Sequence, residues 1–277
     1  MHSSSITFIL YRLLLFCLLP NYSHGYTNSY SSIKKIDNKL YIAIKEDDID
    51  AVKSLLQDPT VDLHTQYNYI QDPLHWAAAN GHVKVVKGLL AAKGIEVNPK
   101  DQYGATPLHW AEVNGHVKVV KALLATKGIA INPKNKYDHT PLHVAADQGD
   151  VEMVKTLLDT KDMLVNLKDK DDRTPLHFSA YNGHLGVVKA LIAHKSILVN
   201  QKDTNGNTLL HHPTSRHDLK VVKALLDAKS INVNQKNHNG KTAFDIAREK
   251  NHAECLAIIE QTLKSIDKKV AIKFSLL

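Results

Sequence analysis

The chain has 277 residues, a formal net charge of +7 and a pI near 9.1, and 43% of its residues are hydrophobic. A positive charge of this size allows acidic partners without requiring them. The two cysteines, Cys17 and Cys255, exclude a cysteine zinc site, and they exclude an intrachain disulfide if the segment that holds Cys17 is removed.

An apolar segment opens the chain. Residues 6–19 contain one charged residue, Arg12, and the run ends at Pro20. The segment is too short to span a bilayer comfortably, but it has the length of a signal-peptide core, and Ser23-His24-Gly25 supplies small residues for cleavage. We therefore expect residues 1–25 to be a signal peptide and the protein to be secreted or exported. The alternatives are an uncleaved membrane anchor and a misassigned start.

The rest of the chain repeats every 34 residues. The sequence Thr-Pro-Leu-His, or a variant of it, begins at residues 38, 72, 106, 140, 174, 208 and 242. A fixed period of this size is typical of a solenoid, in which each unit packs only on its neighbours. A solenoid offers a long binding surface and usually no catalytic cavity.

One unit, which starts at Thr106, predicts two helices. Thr106 is a good helix N-cap, and Pro107 suits the first helical position, where its missing N–H has no partner to lose. Asn114-Gly115 ends this helix, because glycine readily adopts the left-handed conformation. From residue 117 to 124, apolar residues and lysines alternate at helical spacing, which predicts a second helix with one buried face.

This pattern resembles the ankyrin repeat, a helix–turn–helix pair followed by a hairpin-like loop. The motifs Asn-Gly-His, Val-Val-Lys and Val-Asn recur in register with Thr-Pro-Leu-His, and the units are one residue longer than the usual 33. The resemblance implies an all-α ankyrin-repeat solenoid at 38–260, with a capping unit at each end. A linker at 26–37 precedes it. The tail at 261–277 is expected to be a frayed helix; the alternatives are an extension of the last helix and a basic amphipathic contact.

Seventeen histidines raise the question of a metal or acid–base site. Nine lie at two recurring positions, where the resemblance implies structural hydrogen bonds within and between units: His75, His109, His143, His177 and His211, and His82, His116, His184 and His252. His211, His212 and His217 form an irregular cluster, with Asp218 as the only further ligand nearby. The sequence also lacks nucleophile, nucleotide and metalloprotease motifs. We therefore predict no metal, no cofactor and no enzymatic activity.

The unit at Thr208 departs from its own pattern. Pro213 stands where other units have a helix-interior alanine, and His217 stands where they have the turn glycine. An interior proline costs about 3 kcal/mol, and a left-handed residue with a side chain costs about 1 kcal/mol. We predict a weak point at 208–218, either from drift of the repeat or as a kink that shapes the binding surface.

Lysines recur in two rows. One row follows the second helices, at Lys87, Lys121, Lys155, Lys189 and Lys223, and the other follows the loops, at Lys100, Lys134, Lys168, Lys202 and Lys236. Such rows could bind an acidic polymer or an anionic membrane surface, which is the alternative function. A solvated face is the favoured interpretation, with Asp101, Asp169 and Asp203 diluting the charge of the loop row.

The resemblance implies protein binding through a concave surface of loop tips and first helices. The positions there that vary between units form the predicted tip-and-helix surface: Tyr69, Gln102, Tyr103, Val113, Asn114, Lys136, Tyr137, Asp147, Gln148, Lys170, Asp171 and Tyr181. Three of these tyrosines share one position in consecutive units, which is typical of binding hot spots; the alternative is that they pack together and stiffen the loops. Trp76, Trp110 and Phe178 are predicted to pack at the groove floor.

We therefore expect a monomeric scaffold whose partner is a protein. Nucleic acid is not expected as a partner. Membrane contact is expected only through the signal segment or the basic tail.

Overall fold

The computed structural model describes residues 39–61, 72–228 and 230–275, with side chains up to Ile266. The expected signal peptide and linker lie outside these residues. The described part of the chain contains helices in consecutive pairs and no strand. The pairs are α1 (Lys39–Lys45) and α2 (Ile49–Leu55), α3 (Pro73–Ala79) and α4 (Val83–Leu90), α5 (Pro107–Val113) and α6 (Val117–Leu124), α7 (Pro141–Gln148) and α8 (Val151–Leu158), α9 (Pro175–Asn182) and α10 (Leu185–Ile192), α11 (His211–Ser215) and α12 (Leu219–Leu226), and α13 (Ala243–Glu249) and α14 (Ala253–Ser275).

The helices form two stacked rows. Each first helix contacts the first helix of the next unit, from α1 to α13, and each second helix contacts the next second helix, from α2 to α14. The Val-Val pairs and a following leucine on the second helices are fully buried, as at Val119, Val120 and Leu123. Full burial of such a side chain stabilises the fold by about 1.5–3 kcal/mol. The predicted all-α solenoid is therefore confirmed.

The histidine of the Thr-Pro-Leu-His sequence joins neighbouring units. At Thr140 the backbone N–H donates to Nδ1 of His143 over 3.1 Å, which closes a capping box at the start of α7. The ring proton is then on Nε2, which donates to the carbonyl oxygen of Arg173, 30 residues further on, over 3.1 Å. His109 makes the same bond to His139, and His211 makes it to Lys241. The predicted structural role of these histidines is confirmed.

The turn between the two helices has one left-handed residue in each pair. These residues recur at intervals of 34, at 47, 81, 115, 149, 183, 217 and 251, with φ between 54° and 78°. Four of them are glycines, as predicted, and the others are Asp47, His217 and Asn251. The turn conformation therefore persists where the glycine has been lost, at a cost of about 1 kcal/mol for each residue with a Cβ.

The asparagine that follows the second helix also links neighbouring units, through two hydrogen bonds. The Asn166 amide group donates to the carbonyl oxygen of Ser196 over 2.7 Å and accepts from the Leu198 N–H over 2.9 Å. Asn98, Asn132 and Asn200 make the same pair of bonds, to residues 30 and 32 positions further on. The recurring Val-Asn motif thus has a structural reason: its amide satisfies backbone groups of the next unit.

The aspartates in the loops also have a structural role. Asp101, Asp169 and Asp203 are buried, at 6% exposure each, and Oδ1 of each accepts two backbone N–H groups of its own turn. These carboxylates still offset the positive charge of the loop row, because an ionised group acts on nearby charges whether or not it is buried. Asp138 and Asp172 add to this, since they pair with Lys134 and Lys168.

The unit at Thr208 accommodates its proline by starting its first helix late. Helix α11 has five residues and begins at His211, whereas α9 begins directly after Thr174. Pro213 therefore lies in the first turn, where its missing N–H would have no helical partner. The predicted cost of an interior proline is consequently avoided.

The last helix is much longer than the other second helices. Helix α14 has 23 residues and α12 has eight. The backbone therefore continues the last helix through Ser275, which agrees with the alternative that the tail extends this helix. No helix within the described residues is long and apolar enough to cross a membrane.

Candidate functional site

The loop tips form a row of side chains on a connected backbone. Gln102, Lys136 and Lys170 are exposed, and Tyr103 and Tyr137 are half-buried. Neighbouring tips are joined by single backbone hydrogen bonds: Lys136 N–H to Tyr103 over 2.8 Å, Lys170 to Tyr137 over 3.3 Å, Thr204 to Asp171 over 3.0 Å and His238 to Asn205 over 3.0 Å. The predicted tip residue Tyr69 lies outside the described residues. The described tips are thus held in register with one another.

The predicted residues at the ends of the first helices are half-buried, and several make structural hydrogen bonds. The Asn114 amide donates to the Trp110 carbonyl oxygen of its own helix over 2.8 Å. Gln148 donates to the carbonyl oxygen of Val113 in the preceding unit over 3.1 Å. Asp147 accepts from the Asn182 amide over 2.8 Å. Asp147 and Gln148 thus help to join units, and Asn114 bonds within its own helix, so all three are less available to a partner than the loop tips.

The second carboxylate oxygen of each loop aspartate faces a different partner. Oδ2 of Asp101 accepts from the Trp110 indole over 3.0 Å. Oδ2 of Asp169 lies 3.4 Å from Nε2 of His139 and 2.7 Å from the Arg173 guanidinium. Burial alone would raise the pKa of Asp169, but the hydrogen bonds from these two groups outweigh it and lower the pKa well below its usual value. The ionised Asp169 carboxylate therefore holds the side chains of His139 and Arg173 in place.

Asp203 plays the same part in the next unit. Its Oδ2 lies 3.2 Å from Nε2 of His212. Burial opposes ionisation, but hydrogen bonds from His212 and from Asn207 lower the pKa of Asp203 to about 2. His212 is thereby oriented at the surface of the first helix, next to Tyr181.

Two aromatic rings of this region each have an arginine guanidinium over one face. The Arg173 guanidinium lies over the ring of Phe178, at 4.5 Å from its centroid, and the Arg216 guanidinium lies over Tyr181 at 5.2 Å. The Tyr181 ring also meets His212 edge to face, with centroids 5.2 Å apart. Sequence reasoning missed Arg173, and it named His212 only as a member of the irregular histidine cluster. The available signal was a charged residue directly before Thr-Pro and a second histidine directly after the first.

The three aromatic residues predicted at the groove floor are packed as expected. Trp76, Trp110 and Phe178 are 7%, 3% and 6% exposed. Phe178 meets the rings of His139 and His143 edge to face, and Trp76 meets Tyr41 in the same way. Their main role is packing between units.

Glu112 is a buried acid that the sequence did not lead us to expect. It is 1% exposed, and neither carboxylate oxygen has a hydrogen-bond partner in the described parts of the chain. Burial raises its pKa well above the usual value, and the nearby charges of Asp150 and Asp147 add to this. The Ala145 backbone N–H acts in the opposite direction, but its effect is smaller than that of burial. The corresponding position is alanine in three other units, at Ala78, Ala146 and Ala180. The protonated form is therefore favoured, and the group destabilises the fold.

The histidines of the irregular cluster face different partners. His211 bonds to the Lys241 carbonyl oxygen, His212 lies next to Asp203, and His217 stacks on His252 with centroids 4.6 Å apart. No group of three histidine, cysteine, aspartate or glutamate residues in the described part of the chain is arranged to hold a metal ion.

Burial also lowers the pKa of the histidines in the Thr-Pro-Leu-His sequences. The pKa falls to about 4 in His109 and His177 and to about 3 in His143, because desolvation disfavours the charged ring. These rings are neutral at physiological pH. His109 and His143 each donate to a backbone carbonyl oxygen of the next unit, and His177 accepts from the Thr174 N–H within its own unit. Between α12 and α14 lies a groove of about 720 Å³, and among the described residues that line it the ionisable ones are Lys223 and Asp227.

The two lysine rows differ in their surroundings. The second-helix row is exposed, and none of its five lysines forms an ion pair with another described residue. In the loop row, Lys134 donates to the Lys168 carbonyl oxygen and Lys202 to that of Lys236. The loop lysines therefore link neighbouring loops, and the second-helix lysines are the freer row.

Comparison with known proteins agrees with this architecture. A family model described as ankyrin repeats matches three times, over residues 40–135, 127–203 and 195–269. The chain therefore belongs to the ankyrin-repeat family. No curated protein matches it significantly.

Solved structures show the same fold. The crystal structure of the ankyrin repeat domain of Bcl-3, described as a unique member of the IkappaB protein family, is 28% identical, with a TM-score of 0.72. That alignment covers 79% of this chain and 97% of that one. The crystal structure of EF0377, an ankyrin repeat protein, is 23% identical with a TM-score of 0.63. It covers 69% of this chain and 98% of the other, and it supports the fold alone.

Proposed function

We propose that the chain is a non-enzymatic, monomeric scaffold of seven ankyrin units, two of them caps, that binds a protein on its tip-and-helix surface. Ankyrin repeats generally mediate protein–protein interaction, and the chain carries this family's fold over most of its length. The observation that supports this most strongly is the row of loop tips joined by backbone hydrogen bonds. A surface that is ordered before binding loses little conformational entropy when the partner arrives.

The tip tyrosines would supply most of the affinity. Tyr103 and Tyr137 are half-buried, so each ring is partly supported by its own loop and still presents area to a partner. Tyrosine gives a large contact area for the loss of few rotatable bonds, which is why it dominates many binding surfaces. Tyr69 is proposed to belong to the same row.

The proposed compartment follows from the N-terminal segment. Residues 1–25 would direct the chain to secretion or export, and the released form would begin at Tyr26. The scaffold would then meet its partner outside the compartment in which it is made.

The test is a pull-down with the chain from Tyr26 to Leu277. It is compared with a triple variant in which Tyr69, Tyr103 and Tyr137 are replaced by alanine, and with a control in which Lys121→Gln and Lys155→Gln change exposed second-helix residues. The three proteins must first show equal melting temperatures. We expect a protein that is retained by wild type and control and lost by the triple variant. Retention that ignores the tyrosines would contradict the proposal.

The exposed second-helix lysines support one alternative function, the binding of an acidic polymer or an anionic membrane. Neighbouring packed helices lie about 10 Å apart, so these lysines form a line of like charge. Binding through this line would fall steeply with added salt, because each contact releases counterions. The lysine control above would then lose binding and the tyrosine variant would keep it.

A further inference from the structure

The residue before the turn position differs in character along the stack. In four successive units it is an amide whose side chain is used within the fold. Asn80 and Asn114 donate to carbonyl oxygens of their own helices, Gln148 to the preceding unit, and Asn182 to Asp147. In the unit at Thr208 the same position is Arg216, which makes no such bond. At this position the side chain therefore changes from a neutral amide that is hydrogen-bonded within the fold to a charged guanidinium.

Arg216 is exposed and is positioned by an aromatic ring. Its guanidinium lies over the Tyr181 ring at 5.2 Å, and it has no ion pair in the described residues. Stacking of this kind orients the guanidinium plane and leaves the N–H edge free for a planar acceptor. Arg173 shows the contrast one unit earlier, because it also lies over a ring but its donors are occupied by Asp169 and Asp171.

Two acidic residues of this unit and the next have partners other than Arg216. Asp218 caps α12 by accepting from the Val221 N–H over 3.1 Å, and Glu254 lies 3.6 Å from His217. Lys250 of the next unit reaches the carbonyl oxygen of Ser215, directly beside Arg216, over 3.2 Å. It too has no ion pair in the part of the chain that is described. Arg216 and Lys250 of the next unit therefore both bring positive charge to the ends of the first helices, and neither charge is neutralised by an ion pair within the described residues.

We propose that Arg216, stacked on Tyr181 and flanked by Lys250, is the subsite that binds a carboxylate side chain of the partner protein. This rests on the proposed function and adds the chemistry of the partner: an acidic segment that crosses the ends of the first helices. The guanidinium fork matches the two oxygens of a carboxylate, and such charge-assisted pairs are stronger than neutral hydrogen bonds. Tyr181 is the positioning residue, because it holds the guanidinium in place.

The experiment is a selection of random peptides on the immobilised full chain at physiological salt. It is run in parallel on Arg216→Gln, on Arg216→Lys and on Lys121→Gln as a matched control for the loss of one exposed charge. The bound peptides are sequenced, and the affinity of the most enriched one is measured for all four proteins by fluorescence anisotropy.

We expect aspartate and glutamate to be enriched on wild type and on Lys121→Gln and not on Arg216→Gln. The enriched peptide should bind Arg216→Gln at least about tenfold more weakly, and Arg216→Lys should fall between them because it keeps the charge and loses the fork. Peptides without acidic enrichment, or equal affinity for wild type and Arg216→Gln, would overturn the inference. If such peptides still lose binding when Tyr103 and Tyr137 are replaced by alanine, the proposed function stands and only the carboxylate subsite is wrong.

Discussion

The units that begin at Thr106 and Thr208 show that the match of a unit to the repeat motif does not predict how well its buried groups are hydrogen-bonded. The first matches the repeat pattern closely, yet it buries Glu112 without a hydrogen-bond partner among the described residues. The second has lost its proline start and its turn glycine, yet His211 still bonds to Lys241 and a left-handed turn still forms at His217. Agreement with a motif therefore says little about local stability. What preserves the fold is the set of bonds between units.

The largest effect is expected from Glu112→Ala. Three other units carry alanine at this position, so the backbone already accommodates it, and the change removes a buried group without a partner. We expect the free energy of unfolding to rise by about 2 kcal/mol. Chemical denaturation measures it, with the exposed Glu152→Ala on α8 as a control that should stay within about 0.5 kcal/mol of wild type. Loss of stability in Glu112→Ala would show that the carboxyl has a partner.

The same group predicts a pH dependence. In the unfolded chain Glu112 loses its proton near pH 4.3, whereas its raised pKa keeps it protonated in the fold. As the pH rises above about 4.3, the unfolded chain is increasingly favoured. The free energy of unfolding therefore falls by about 1.4 kcal/mol per pH unit until the pH reaches the pKa of Glu112 in the fold.

The control for this dependence is Glu112→Gln, which cannot titrate. Unfolding free energies of both proteins are measured across the pH range, and wild type minus variant should fall with rising pH. The buried histidines act oppositely: their lowered pKa values weaken the fold as pH drops below about 6.5. That contribution cancels in the difference, and a flat difference curve would contradict the burial of an ionisable Glu112.

The turn position gives a matched pair of smaller effects. His217→Gly removes a side chain from a left-handed residue and should stabilise the fold by about 1 kcal/mol, less what the stacking on His252 contributes. Gly115→Ala adds a Cβ in the same conformation, with no atom within 4 Å of it, and should destabilise by about 1 kcal/mol. Thermal unfolding of the two variants compares them. Changes of the same sign would contradict a strained turn at His217.

The smallest effect is expected from Pro213→Ala. Because α11 starts late, the proline lies in the first helical turn, and the change in unfolding free energy should stay below about 1 kcal/mol. A gain near 3 kcal/mol would mean that the proline breaks a helix interior. Residues 208–218 are still predicted to exchange amide hydrogens faster than the flanking helices, because α11 is short.

Much of the fold could be predicted from the sequence, because the hydrogen bonds between units come from local motifs that repeat at a fixed spacing. Thr140 with His143, and the asparagine of Val-Asn, occur in register and make the same bonds in several units. The late start of α11 could not be predicted, since it depends on whether the chain shifts its helix or distorts it around Pro213. Glu112 did leave a signal, because it is an acid aligned with alanines.

The candidate site was harder to predict than the fold. Tyr181 was selected as a variable position, but its contact with Arg216 joins residues of neighbouring units and depends on side-chain direction. Conversely, Gln148 and Asn114 were selected as variable, and their amides turn out to bond to backbone carbonyl oxygens. Variation between units marks positions that are free to change, and it does not show which of them face a partner.

Site-specific photocrosslinking tests the central claim, that the loop tips contact the partner. A photoreactive phenylalanine derivative replaces Tyr137 in one protein and the exposed second-helix Lys155 in another, and each is irradiated in the cells or medium where the chain acts. The account predicts a crosslinked partner protein from position 137 and none from position 155. Crosslinks from position 155 alone would contradict it and assign the contact to the lysine row.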